Sequence, residues 1–405
     1  MKNLLILTSI IFFLISCASM DENQLDGRVE ELHNKIISID THTDTPLRLV
    51  RDTNFDLAEN NKDYGKLDFP RMEEGRLDAV FFGIFLGQGE RDEEGKKKAK
   101  TRALNIISVV DSSIEANSDL ASKALSSKDA LTSKKENKKA VYLGMENGYP
   151  VGTDISNVKQ FYDLGVRYIT LCHSENNDIC DSSTDPDGPE FNGLSEFGEK
   201  VVRKMNELGM MIDISHVSDS SFYDVLRISD SPVFASHSCA RALRDHPRNI
   251  SDEMLEALAE KGGVIQICFL TDYLKETEDN PKLESALDSL RNRYSDYPDL
   301  SEERRKKMYE EWEEVNKRYN KNLATVKDLV DHIDHVVKVA GVDYVGIGSD
   351  FDGGGELEDC YDVSQMKNIT KELISRGYSD EEIEKIWSGN FLRVFKEIEE
   401  TAEKI

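Results

Sequence analysis

Eight short segments rich in β-branched and aromatic residues recur along the chain, and stretches with helical periodicity separate them. They are IISIDTH (36–42), AVFFGIFL (79–86), AVYLGME (140–146), VRYITLCH (166–173), MMIDISH (210–216), PVFASH (232–237), GVIQICF (263–269) and YVGIGSD (344–350). Near-continuous apolar strands of this kind suit a parallel sheet covered on both faces. DISNVKQFYDLG and SEFGEKVVRKMNELG, between them, are amphipathic, and each closes on a glycine suited to the position after a helix. Eight strand–helix units are the number that closes a (β/α)8 barrel of the TIM type. The expected domain covers 36–405, and SDEEIEKIWSGNFLRVF near its end opens on a capping-box pattern from Ser379 to Glu382.

One interval breaks the rhythm. Between the seventh and eighth segments, 274–322 is highly charged, with sparse aromatic residues at helical spacing, and reads as an inserted helical hairpin. It follows the C-terminal end of a strand, the face on which barrel enzymes keep their sites. Two readings stand side by side: a lid over the mouth, or a solvated excursion without contact with substrate.

The first residues, MKNLLILTSIIFFLISC, place Lys2 before an apolar run from Leu4 to Ile15, the layout of an export signal. Leu14-Ile15-Ser16-Cys17 resembles a bacterial lipoprotein signal. On that reading 1–16 is removed, Cys17 carries the lipid, and 17–35 is a polar tether. The protein is then exported and lipid-anchored to a bacterial membrane, facing periplasm or exterior; an ordinary signal peptide or an uncleaved anchor is the alternative. No other run reaches the roughly 18 apolar residues of a membrane helix. The balance of 78 acidic to 51 basic side chains, a formal charge of −27, repels phosphate backbones and excludes nucleic acid as a partner. A small zwitterionic substrate is not excluded. Cys172, Cys180, Cys239, Cys268 and Cys360 show no C-x-x-C spacing, which rules out a zinc knuckle, and their odd number leaves at least one free thiol.

The chemistry stands at the strand ends: His42 and Asp44 after the first, Glu146 after the third, His173, His216 and His237 after the next three, and Asp350 after the eighth. His42 and Asp44 alternate, so in an extended strand they share one face. Alone, that pattern is a polar turn. A barrel, however, brings all these ends to one rim. Imidazole and carboxylate without thiolate suit zinc, and manganese, cobalt or iron less often. Three histidines and two carboxylates exceed what one zinc keeps while leaving a position for water, so two ions fit better. Glu146 is the natural bridge, with His42 and Asp44 completing one ion and His216 and His237 the other. A hydroxide shared by the metals would be the nucleophile.

IDTHTDTP, GMENG, LCHSENN, IDISHVS, ASHSCARAL, HPRNISDE and GIGSDFDGG together resemble membrane dipeptidase, also called renal dipeptidase, a zinc peptidase family built on a barrel, with the motifs in the family's order from Ile36 to Phe395. The resemblance implies the metal ligands just named. It also implies that His173 contacts the substrate and steadies the tetrahedral oxyanion, that Arg248 receives the terminal carboxylate, and that Asp350 handles protons or the amino group. Dipeptides are then the substrates; a homodimer is compatible with the sequence, which does not fix the oligomeric state. The long insertion departs from mammalian members, and Tyr273 is only a candidate for the family's carboxylate-contacting tyrosine. Two rivals remain: another barrel amidohydrolase acting on a different amide, and a lipoprotein that binds peptides without cleaving them. The former often begins with His-x-His and bridges with a carboxylated lysine, unlike His42-x-Asp44 and Glu146. His332 and His335, three apart on a helix, read as barrel support; His246 reads as a loop-shaping residue, and His33 has no evident partner.

Overall fold

The computed structural model describes residues 22–52, 54–277, 280–295, 300–319 and 322–405. Cys17, the export signal and the start of the proposed tether lie outside them. Among the described residues no helix is long and apolar enough to cross a membrane.

Nine strands form one sheet: β1 (Ile39–Thr43), β2 (Ala79–Phe85), β3 (Ala121–Lys123), β4 (Lys139–Glu146), β5 (Val166–Thr170), β6 (Met211–Asp213), β7 (Phe234–Ser238), β8 (Val264–Ile267) and β9 (Val345–Ile347). All pairings are parallel, in the order β1-β2-β4-β5-β6-β7-β8-β9, with β3 attached to β4 off that path. Just past β9 the chain returns to β1. Asp350 N–H donates to the His42 carbonyl at 2.9 Å and Asp44 N–H to the Phe351 carbonyl at 2.7 Å, which nearly closes the ring. Each expected segment thus holds one strand of an eight-stranded (β/α)8 barrel. The short β3 is an addition that the sequence reading lacked.

The barrel is filled by side chains of alternating strand positions. Phe81 of β2 stacks on Tyr142 of β4 and Tyr168 of β5, and Tyr168 meets Phe234 of β7 edge-on. Phe391 and Phe395 of the C-terminal helix Asn390–Ala402 join this cluster, so that helix plugs one end of the barrel and leaves the strand C-termini to hold polar groups. Gly144 is what admits Tyr168: a Cβ there would stand 1.9 Å from the phenol ring.

The helix Glu22–Lys35 corrects the tether expected over 17–35. Val29, Leu32 and His33 are buried against the barrel, and His33 bonds the Thr370 hydroxyl at 2.8 Å while meeting Trp387 edge-on. An apolar row at Leu25, Val29, Leu32 and Ile36 runs along one face, thin but sufficient to dock. The insertion is a helical hairpin as expected, Pro281–Arg293 and Glu302–Arg318. Leu290, Tyr294 and Leu300 are buried between its arms with Met308 and Val315 against them, a small core separate from that of the barrel. The capping box at Ser379 and Glu382 is present. Cys172, Cys180, Cys239, Cys268 and Cys360 are buried and free.

Candidate active site

His42 lies within β1, Glu146 ends β4, and His237 lies within β7, while His173, His216 and Asp350 each sit three residues beyond a strand. The chain turns sharply there. His216 and Asp350 adopt left-handed backbone, φ +70° and +62°, and so does Asn147 directly after Glu146, φ +73°. Such conformations cost energy in residues with a Cβ, and here they swing side chains toward the barrel axis.

The structure brings the seven rim residues together. Glu146 Oε2 lies 3.2 Å from His42 Nε2, and its Oε1 lies 3.1 Å from His216 Nε2, 3.5 Å from His237 Nε2 and 3.6 Å from His173 Nε2. Asp44 and Asp350 each approach His42 Nε2 to 3.9 Å. Three overlapping sets have ligand atoms all within 4.8 Å of one another: His42, Glu146 and His237; Glu146, His173 and His216; His42, Asp44 and Asp350. Distance alone therefore does not separate His173 and Asp350 from the other ligand candidates. Exposure does for His173, whose side chain is 24% open to the cavity against 0% for His42, 6% for His216 and 2% for His237.

Hydrogen bonds beneath the rim fix which ring nitrogens face inward. The Tyr168 hydroxyl donates to the Thr41 carbonyl at 3.3 Å, so at 2.7 Å from His42 Nδ1 it accepts that N–H. The Ser236 hydroxyl donates to Asp213 at 2.6 Å and accepts from His237 Nδ1 at 2.8 Å. With Nδ1 engaged, both histidines turn Nε2 toward Glu146, the nitrogen that would bind a metal once it carries no proton. His42 Nε2 and Asp44 Oδ1 are buried without a hydrogen-bond partner. Gly83 leaves room for this pair, because a Cβ there would come within 2.9 Å of Asp44 Oδ1.

The electrostatics agree with that donor set. Burial holds Asp44 well above the ordinary carboxylate range and Asp350 up at about 7, and the Glu146 charge adds to both. Burial opposes charge on His42 as well, yet Glu146, Asp44 and Asp350 outweigh it and hold the imidazole up at about 10. Burial pushes His237 down to about 4 and His216 well below its usual value, keeping both neutral. Three crowded carboxylates thus keep a proton on His42 beside the neutral His216 and His237, and a divalent cation in place of that proton would meet the same demand for positive charge.

Sequence reasoning passed over Asp40, Tyr168, Asp213, Ser236 and Ser349. Asp40 accepts from Ser349 N–H at 2.8 Å and from His42 N–H at 3.2 Å, tying β1 to the chain after β9. Asp213 accepts from Ser215 N–H, Ser236 N–H and the Thr170 hydroxyl, joining β5, β6 and β7. A signal was present: each aspartate directly follows an isoleucine in a buried strand, where an unpaired carboxylate would be costly.

A cavity of about 590 Å³ opens over the rim. Arg248 is buried in its wall, with Nη2 on the His237 carbonyl at 3.1 Å, Nη1 3.4 Å from Ser238 Oγ, and Nε without a partner. The Tyr273 ring lies 5.2 Å from its guanidinium carbon. The other histidines have supporting places. His332 accepts from Ala240 N–H at 3.0 Å and its other nitrogen bonds the Leu274 carbonyl; His246 accepts from Arg248 N–H at 3.1 Å; His335 pairs with Asp252.

Residues 27–405 match the family model for membrane dipeptidase, Peptidase family M19. The chain belongs to the membrane dipeptidase family. It is 32% identical to Dipeptidase tcpJ of Claviceps purpurea over 96% of this chain and 80% of that protein. It is 30% identical to human Dipeptidase 3 over 94% of this chain and 69% of that one. Among solved structures, the probable dipeptidase PvdM from Pseudomonas aeruginosa superposes with a TM-score of 0.81 at 31% identity, covering 94% of this chain and 100% of that one. As a member of the membrane dipeptidase family the protein is a metallo-dipeptidase, and the rim holds three sets of side chains that could bind a metal ion.

Proposed function

We propose that the enzyme hydrolyses dipeptides with two divalent ions, zinc by preference, to both of which Glu146 would contribute. His42 and Asp44 would hold one ion, and His216 and His237 the other. The observation that carries this reading is the two-sided placement of Glu146, with one oxygen toward His42 and the other toward His216 and His237. When bound, the ions supply Lewis acidity and a water acidic enough to attack near neutral pH.

The side chains do the rest. Arg248 receives the free α-carboxylate of the substrate, since its buried guanidinium has a donor to spare and a fork that matches two oxygens. His173, open to the cavity on the Oε1 side of Glu146, steadies the oxyanion as the peptide carbonyl becomes tetrahedral. Asp350, on the opposite side next to His42 and Asp44, passes a proton to the leaving amine or holds the substrate's amino group. Fixing the carboxylate at Arg248 sets the scissile bond one residue away, which selects dipeptides over longer chains. The proposal extends to the N-terminus, where a lipid on Cys17 tethers the exported domain to the membrane.

Purified protein should cleave dipeptides, lose that activity to a chelator and regain it with zinc. A protein that binds dipeptides and never cleaves them, whatever metal is supplied, would be a binding lipoprotein instead. Cys17→Ser should release active enzyme from the membrane, and mass spectrometry showing no lipid on the mature first residue would overturn the anchor.

A further inference from the structure

The two sides of the cavity are built from different materials. Arg248 and Tyr273, from the turns just after β7 and β8, form one part of the wall. Another part is Leu47 and Arg48 of the helix Pro46–Arg51, which follows Asp44, and against that helix sits the inserted hairpin, which brings Met308, Tyr309 and Trp312 to the cavity. Leu290 and Tyr294, from the hairpin's other arm, complete this roof. Its seat is specific. The Arg51 guanidinium stacks 3.3 Å from the Tyr309 ring centroid, and Lys306 pairs with Asp52 at 2.8 Å. Tyr294 and Leu290 are buried in the hairpin's own core with Met308 packed against them, so the roof has a shape that does not depend on a ligand.

We propose that the insertion forms a subsite for a large apolar side chain on the N-terminal residue of the dipeptide. This rests on the function proposed above, because the carboxylate must sit at Arg248 for the N-terminal residue to lie toward Asp44 and Asp350. Three features support it. The roof is seated on the helix that directly follows Asp44. It offers apolar and aromatic atoms, and the cations beside them are paired, Arg291 with Asp288 at 2.7 Å and Arg48 with Asp352 at 3.1 Å. The cavity, about 590 Å³, exceeds what two small residues fill, and unfilled apolar wall contributes no binding. Specificity is thereby divided: Arg248 reads the carboxylate end, and the insertion reads the side chain at the amino end.

Four dipeptides test this on the full-length enzyme: Leu-Gly, Phe-Gly, Gly-Leu and Gly-Phe, compared by kcat/KM. The wild type should favour Leu-Gly over Gly-Leu, and Phe-Gly over Gly-Phe, by roughly tenfold or more, the range one hydrophobic pocket supplies. Trp312→Ala and Met308→Ala should each reduce that preference severalfold, and Trp312→Phe should restore most of it. Circular dichroism and metal content identify a variant that has merely misfolded, and Trp312→Phe provides a folded comparison. Equal wild-type rates within each pair, or a preference that survives Trp312→Ala in folded enzyme, would overturn the subsite. Hydrolysis of none of the four by metal-replete enzyme would instead overturn the proposed dipeptidase mechanism, so the two failures are distinct.

Discussion

The rim of the barrel and the roof above it are held by different means. At the rim, His42 and His237 are each backed by a hydroxyl, from Tyr168 and Ser236, and Asp40 and Asp213 lock those strands to one another by short buried hydrogen bonds. The roof has a small core of its own and rests on the helix Pro46–Arg51 through one stacked arginine and one ion pair. Groups that must be placed to a few tenths of an ångström come from rigid strands with crossed supports, whereas groups that only need to exclude water and offer apolar surface can ride on an appendage. Rim changes should therefore abolish chemistry, and roof changes should redirect it.

The largest effect is expected at Glu146. Glu146→Gln removes a charge facing both ion positions, so both ions should weaken and the rate should fall by about a thousandfold, near 4 kcal/mol of barrier. Inductively coupled plasma analysis alongside kinetics checks this, and normal metal content with a normal rate would mean that Glu146 is no bridge. His216→Ala should mainly weaken one ion. Next is Tyr168→Phe, which leaves His42 in place but removes its hydrogen-bond partner. Metal affinity or activity should drop by about 10- to 100-fold, read by chelator competition.

Arg248→Ala follows, with metals retained. Loss of a charged hydrogen-bonded contact costs about 1.5–3 kcal/mol, so kcat/KM for dipeptides should fall at least about tenfold, with only partial rescue by Lys. A dipeptide compared with its C-terminal amide isolates the role: the wild type should prefer the acid, and the alanine variant should lose most of that preference. Deleting Glu276–Tyr319 behind a Gly-Ser join should leave the ions bound and alter which dipeptides are accepted; an unchanged profile would make the insertion a bystander. The smallest effect belongs to the roof's outer support. Lys306→Ala removes a half-exposed ion pair that solvent screens and should leave the thermal melt almost unmoved.

The same contrast explains what could be read in advance. The eight barrel strands were legible because strands covered on both faces carry nearly unbroken apolar runs, and the rim histidines stood out because they follow those runs. β3, with the sequence Ala121-Ser122-Lys123, has no such run and exists only because β4 offers it an edge. The helix Glu22–Lys35 reads as tether in the sequence because its charges hide a single apolar row. Tyr168 looked like core, and half of it is: its ring packs on Phe81 while its hydroxyl orients His42. That pairing spans 126 residues, and nothing local to either residue announces it. The left-handed turns at His216 and Asp350 were equally silent, since neither is a glycine. For the insertion, periodicity supplied the hairpin but not where it leans.

If two ions share Glu146, stoichiometric reconstitution will count them. Metal-free enzyme titrated with zinc, with bound metal and dipeptide hydrolysis followed together, should reach full activity at about two equivalents per chain. Full activity at one equivalent, with no further ion bound tightly, would contradict the shared pair.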